Sequence, residues 1–265
     1  MINLIPYAGL GNRMRVIASF VQYSQNQNVP LKIFWIREPG FNCCFSDIFE
    51  SNKLLQIDDH SWINHFVYNK ASVRNLYIPK LLNCILKRKY HYDLPINSLN
   101  NISIAGDVYI TTYSQQGDMY PLKNLFVPKK DIQSKIDTIT SQFSPNTYGL
   151  HIRRKDNKAS IEQSPIELFE KAIESKLTTE LDARFFLCSD DQGVKEYLKN
   201  KYGGIIMSYD SVLSRASKQG IKDAVVELWA LSNTKEIWGS FYSSYSEIAS
   251  AINGADLKIM KSNEI

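Results

Sequence analysis

The sequence predicts an α/β fold built on parallel sheets, because candidate strands and helices alternate along most of the chain. Two observations carry this. From residue 126 onward, the apolar runs "YGLHI" (148–152), "RFFLC" (184–188), "IIMS" (205–208) and "KEIWG" (235–239) are separated by segments of helical periodicity. Near the amino terminus, "INLIPY" (2–7) and "LKIFWI" (31–36) flank Met14, Ile17, Ala18 and Val21 at helical spacing, which reads as a βαβ unit. Parallel strands need crossover helices on both faces, so their own apolar runs are nearly continuous. At 265 residues, with 44% hydrophobic and 22% charged, the chain is long enough for two such domains, expected over 1–125 and 126–265.

Taken in order, the loop "AGLGNR" (8–13) joins the first strand to the first helix. Residues 40–125 are less regular, with short strands expected near 54–57 and 102–105. A helix over about 76–90 sets Leu81, Leu82, Ile85 and Leu86 against Lys80, Lys87, Arg88 and Lys89. This reads first as a solvated amphipathic helix, and otherwise as a peripheral surface touching anionic lipid. The helix "KKDIQSKIDTITSQF" precedes strand 148–152. "SPIELFEKAIES" then opens with Ser164 as N-cap, Pro165 at the first helical position and Glu167 placed for a capping box. "GVKEYLKNKY" and the nearly all-round apolar "KDAVVELWALSN" are the next crossover helices. The Ser-rich turn "SFYSSYS" (240–246) leads into helix "EIASAIN", with Gly254 as its C-cap.

A net charge of +4 favours an anionic ligand but is too mild for a nucleic-acid binder, so no nucleic-acid partner is expected. Cys43, Cys44, Cys84 and Cys188 form no CxxC and no Cys/His cluster, which fits free thiols in a reducing compartment. Residues 2–7 already read as a strand, leaving no room for a secretory leader. No stretch approaches the roughly 18 uninterrupted apolar residues of a membrane span. A cytoplasmic protein is expected, peripheral to the inner face of the membrane if residues 76–90 touch lipid.

In an open parallel sheet, ligands sit beyond the carboxyl ends of the strands. Strand 148–152 delivers Arg153 and Arg154 there, strand 184–188 delivers Ser189 and Asp190, and strand 235–239 delivers Ser240, Ser243 and Ser244 at a helix start. Forked guanidinium donors, together with a serine-lined helix N-terminus, describe a diphosphate pocket. The plainer alternative is a structural knot in which the arginines pair with Asp156 and Ser243 or Ser244 only caps a helix. "AGLGNR" is no dinucleotide fingerprint, since Met14 stands where a third glycine belongs, and no GK[ST] is present. What survives is a tight turn in which Gly9 and Gly11 admit close backbone approach, with Asn12 and Arg13 projecting at the helix start. No D-x-D occurs, and adjacent pairs such as Asp58-Asp59 and Asp190-Asp191 point apart on a strand. Metal-independent chemistry with no resident cofactor is therefore expected. His151, inside a strand, reads as a buried, hydrogen-bonded histidine rather than a general base.

"HIRRKDN" (151–157) resembles the HxRRxD motif of the fucosyltransferase superfamily, which includes NodZ-like α-1,6-fucosyltransferases and protein O-fucosyltransferases. "FFLCSDDQGVKEYL" is similar to its FLxTDD segment, and "DAVVELWALSNTKEIWGSFYSSYSEIA" to its closing stretch, with Tyr245 in place of the usual phenylalanine. "GLGNR" is similar to its glycine loop, and the match covers about 148–250 plus 8–21. The resemblance implies a GT-B architecture, two Rossmann-like domains facing across a cleft with the nucleotide sugar held mainly by the C-terminal one. It further implies inverting, metal-independent transfer from GDP-fucose to a glycan acceptor, as in polysaccharide biosynthesis. Arg154, Arg153, Asn12 and Arg13 are thereby implied for catalysis. Gly9, Gly11, His151, Ser189, Asp190, Ser243, Ser244 and Tyr245 are implied for donor binding. The general base stays open between Glu38, Asp47 and an acceptor-assisted route. A non-catalytic nucleotide- or glycan-binding module, or a transferase using another nucleotide sugar, are the alternatives.

Overall fold

The computed structural model describes residues 1–59, 84 and 89–262. They form two compact units, Met1–Lys129 with Ser214–Ile221, and Lys130–Leu213 with Lys222–Ile265.

The first unit is a five-stranded sheet, all of its pairs parallel. It contains β1 (Ile2–Pro6), β2 (Leu31–Phe34), β3 (Gln56–Asp58), β4 (Lys89–His91) and β5 (Val108–Thr112), in the spatial order β3-β2-β1-β5-β4. Every residue of β1 is buried, as a central parallel strand covered on both faces requires. Helix α1 (Leu10–Gln27) begins after Gly9 and closes at Asn28, whose left-handed backbone returns its N–H to the Ser24 carbonyl. The strand expected near 102–105 does not form; β5 lies further on, in "VYITT", and β4 is a short polar segment with no periodicity to announce it. The helix expected over 76–90 lies outside the described residues except at Cys84 and at its end, where Lys89 and Tyr90 belong to β4.

The second unit repeats the plan with β6 (Thr147–Ile152), β7 (Arg184–Ser189), β8 (Ile206–Met207), β9 (Glu236–Ser240) and β10 (Asp256–Met260), in the order β10-β9-β6-β7-β8, again all parallel. Its helices are α2 (Lys130–Thr140), α3 (Lys158–Gln163), α4 (Ile166–Thr179), α5 (Gln192–Tyr202), α6 (Lys218–Ser232, whose first turn groups with the first unit) and α7 (Ser244–Asn253). Tyr148, Leu150, Ile152, Phe169, Phe185, Leu187 and Trp238 pack into its core. Gly254 ends α7 in the left-handed conformation at φ 77°, as its position in the sequence indicated.

The capping box expected at Ser164 is not made. The Ser164 hydroxyl accepts from the Phe241 N–H at 2.7 Å and donates to the Met260 carbonyl, so it ties the chain before α4 to β10 and the serine turn. A tertiary donor and acceptor outcompeted the local backbone for this side chain.

Candidate functional site

The order of the second sheet reverses direction between β6 and β9, and such a switch point opens a crevice at the carboxyl ends of the strands. His151, Arg153, Arg154, Ser189, Asp190, Ser243, Ser244 and Tyr245 all lie at or just beyond that edge. Three hydrogen bonds fasten the arginine loop to the serine turn. The Arg153 N–H donates to Ser240 Oγ at 3.1 Å, Asn157 Nδ2 to the Tyr242 carbonyl at 3.0 Å, and Ser160 Oγ to the Phe241 carbonyl at 2.6 Å. Asn157 also caps α3, accepting from the Ser160 N–H at 3.1 Å. These fastening residues, Asn157, Ser160 and Ser164, were not among the sequence candidates, because a side chain that bonds a distant carbonyl leaves no periodic signal.

The two arginines are used differently. Arg153 forms an ion pair with Asp156 at 2.8 Å. Arg154 has no ion pair among the described residues: its Nη1 donates to the Arg153 carbonyl at 3.0 Å and its Nη2 to the Ser164 carbonyl at 2.7 Å. Half-burial lowers its pKa from the ordinary value, against the opposing pull of Asp190, Glu167 and Asp191. Its backbone is set by Asp190, whose carboxylate accepts from the N–H groups of Arg154 at 2.7 Å and Lys155 at 3.2 Å. The site therefore holds a cation whose partners are neutral carbonyls, with further N–H donors to spare.

Opposite that loop, α7 begins at Ser243 with no side-chain cap, and Ser243 Oγ is buried with no hydrogen-bond partner among the described residues. A buried, unsatisfied hydroxyl at a helix N-terminus costs about 1–3 kcal/mol unless something bonds it. Ser244 follows as the first helical residue, half-buried. The ring of Tyr245 lies 4.8 Å from that of His151, and its hydroxyl donates to the Ala224 carbonyl at 2.6 Å. Ser189, by contrast, is buried and donates to the Ile152 carbonyl at 2.7 Å, holding β7 to β6. Gly239 makes the serine turn's close seat on the sheet: a Cβ there would stand 2.6 Å from Ser246 Cβ.

In the first unit, Gly9, Gly11, Asn12 and Arg13 stand together where β1 passes into α1. Gly9 faces open space, with nothing within 4 Å of where a Cβ would lie, while Gly11 is buried in the first helical turn. Asn12 Oδ1 is buried with no partner among the described residues. Arg13 is turned inward and wholly buried. Its guanidinium donates to the carbonyls of Ala8 at 2.9 Å and Ile36 at 2.8 Å and pairs with Glu38 at 2.8 Å, over the rings of Trp35 and Phe41. Burial pushes its pKa down to about 10, with Glu38 opposing. Such a guanidinium braces the loop against the chain following β2. Of the carboxylates considered as bases, Glu38 is in that pair, and Asp47 pairs with Lys218 at 2.6 Å.

Among the described residues, no group of three or more His, Cys, Asp or Glu side chains is placed to hold a metal ion. Nor is any helix among them long and apolar enough to cross a membrane.

No family model matches the chain, and no curated protein matches it. Solved structures do. NodZ α-1,6-fucosyltransferase, a protein from Bradyrhizobium, soaked with GDP-fucose, superposes with a TM-score of 0.62 at 14% identity, over 95% of this chain and 92% of that one. The FUT1 protein of Arabidopsis thaliana, in a mutant complexed with GDP, gives 0.65 at 15% identity over 97% and 70%. POFUT1 in complex with GDP gives 0.55 at 10% identity over 98% of each chain. In its two parallel five-stranded sheets, then, the chain has the Rossmann-like α/β fold of the GT-B fucosyltransferase structures.

Proposed function

We propose that the chain is an inverting, metal-independent glycosyltransferase that moves fucose from GDP-fucose to a glycan hydroxyl. The observation that carries this is the second unit's switch point, where the loop carrying the half-buried Arg154, in no ion pair among the described residues, is fastened to the turn before a helix start with an unsatisfied Ser243 hydroxyl. A pyrophosphate supplies what both lack, negative charge for the guanidinium and acceptor oxygens for the helix N–H groups. GDP and GDP-fucose are the ligands named with the structural neighbours, which supports a guanosine diphosphate sugar here.

In this reading the acceptor oxygen forms a bond to the anomeric carbon as the bond from that carbon to the diphosphate oxygen breaks. GDP departs with the electron pair, and the proton of the acceptor hydroxyl is released to solvent. Negative charge grows on the bridging oxygen, and a fixed guanidinium there lowers the barrier without reorganisation. Arg153, held by Asp156, orients the loop, and Asp190 sets the Arg154 backbone rather than touching phosphate itself. Arg13 is a positioning residue that shapes the turn presenting Gly9 and Asn12. The second unit binds the donor and the first serves the acceptor.

The test is a melting-temperature screen against GDP-fucose, GDP-mannose and UDP-glucose, followed by measurement of GDP release in chelator. At about 100 times Kd a ligand of the folded form adds about 2.7 kcal/mol. GDP-fucose should give the largest rise, and turnover should persist without divalent ions. Equal, negligible shifts for all three donors would end the proposal, as would release that stops on chelation.

A further inference from the structure

The first sheet has its own switch point, between β1 and β5: α1 leads from β1 to β2 on one side, while β5 and β4 lie on the other. The residues leaving these two strands at their carboxyl ends are both tyrosines. The Tyr7 N–H extends the ladder to the Thr112 carbonyl at 3.3 Å, and Tyr113 follows β5 directly. Their rings meet edge to face, 5.3 Å between centroids and 70° between planes. Tyr113 is 41% exposed, so part of its ring is open to solvent.

A carboxylate joins them from the segment after β4. Tyr7 Oη donates to Asp93 Oδ1 across 86 positions of sequence. Asp93 is exposed and adopts φ 50°, with its N–H donating to Thr111 Oγ1 at 3.3 Å and the Leu94 N–H to the Thr111 carbonyl at 3.1 Å. Its other carboxylate oxygen and the Tyr113 hydroxyl have no hydrogen-bond partner among the described residues. Burial, and then Asp93, push the Tyr7 phenol well above its ordinary pKa, so it stays a donor to that carboxylate. Immediately beyond Tyr7, Ala8 holds φ 70° and Gly9 faces open space. A left-handed alanine costs about 1–2 kcal/mol, and strain of this kind gathers at ligand sites.

A part-exposed aromatic ring beside a phenol and an exposed aspartate with one carboxylate oxygen unused match the two faces of a pyranose. Its C–H side lies on the ring, and its hydroxyls donate to the carboxylate. We propose that Tyr7, Tyr113 and Asp93 form a sugar-binding subsite that seats the terminal pyranose of the acceptor. Its assignment to the acceptor, though not its capacity to bind a sugar, rests on the transferase reading.

Saturation-transfer NMR on the full chain with the methyl pyranosides of glucose, galactose, mannose and N-acetylglucosamine at millimolar concentration tests it. At least one glycoside should show transfer to its ring protons. Tyr113→Ala and Asp93→Asn should each weaken that binding about tenfold. GDP affinity, measured calorimetrically on the same proteins, should be unchanged. Absence of transfer from every glycoside, or wild-type binding in both variants, overturns the subsite. If glycoside binding follows the prediction while wild-type protein binds no GDP, the subsite stands as a sugar site and the transferase reading falls. Loss of glycoside and GDP binding together in the variants would mark a general structural effect and would also overturn the subsite.

Discussion

Arg13 and Arg154 show how burial alone misleads about a guanidinium. Both are drawn in from water, and in both the pKa is lowered chiefly by desolvation. Arg13 spends its donors on two carbonyls and a carboxylate beneath aromatic rings, so its charge is answered. Arg154 reaches only carbonyl oxygens, and no carboxylate among the described residues pairs with it. If that charge meets the departing diphosphate, Arg154→Ala should lower kcat about 10²- to 10³-fold, the usual cost of removing one fixed donor from a developing oxyanion. Its melting temperature should stay near wild type, because only two exchangeable hydrogen bonds are lost. Steady-state kinetics with GDP-fucose beside a thermal melt distinguishes this from unfolding, and a variant with wild-type kcat would remove Arg154 from the mechanism. In sequence the two residues look alike, each just past a strand near a glycine or a polar turn. Only the groups that surround them tell them apart.

At the scale of elements, the start of α7 is held onto β9 by the lack of a side chain at Gly239. A methyl there would fall 2.5 Å from Ser246 Oγ and 2.6 Å from Ser246 Cβ, and Cβ cannot rotate away as a side-chain tip could. Gly239→Ala should therefore lift the first turns of α7 and cost about 1–3 kcal/mol, the usual penalty of overpacking. Because Ser243 and Ser244 ride on that turn, GDP affinity should fall with it. Calorimetric titration with GDP against the melting temperature reads both, and a variant with unaltered affinity would place the nucleotide elsewhere. Register adds to the argument: Gly239 pairs with His151, two residues before Arg153. The alternation of apolar runs was enough to place β6, β7 and β9, since central parallel strands are apolar on both faces. The edge strands β4 and β10 alternate with polar residues or are three residues long, and their pairing partners define them.

At the scale of the whole molecule, the end of the second sheet away from the site is stapled by carboxylates. Glu180 accepts from Tyr148 Oη at 2.7 Å and 2.8 Å and pairs with Lys176 at 3.4 Å and Lys235 at 3.2 Å. The Tyr148 bond, then Lys235 and Lys176, hold its pKa below the ordinary 4.5. Asp131, bonded by Lys222, and Glu174, bonded by Tyr202 and Lys201, are lowered likewise. A carboxylate whose folded pKa lies below its unfolded one contributes stability above the unfolded value and loses it as pH falls through the folded value. The melting temperature should thus decline below about pH 4.5. Glu180→Gln, which keeps an acceptor but does not titrate, should flatten part of that decline. A melting temperature constant down to about pH 3, or an identical slope in the variant, would contradict the assignment.

By itself, the sequence determined the class of fold, the strands β6, β7 and β9, and Gly254 as a helix end, because each depends on periodicity or on one residue's backbone freedom. Tertiary structure alone decided the burial of Arg13, the diversion of the Ser164 hydroxyl from its helix, and the meeting of Tyr7 with Asp93. Each of those turns on which distant donor or acceptor arrives beside a side chain, and no local pattern encodes a partner that only folding brings near.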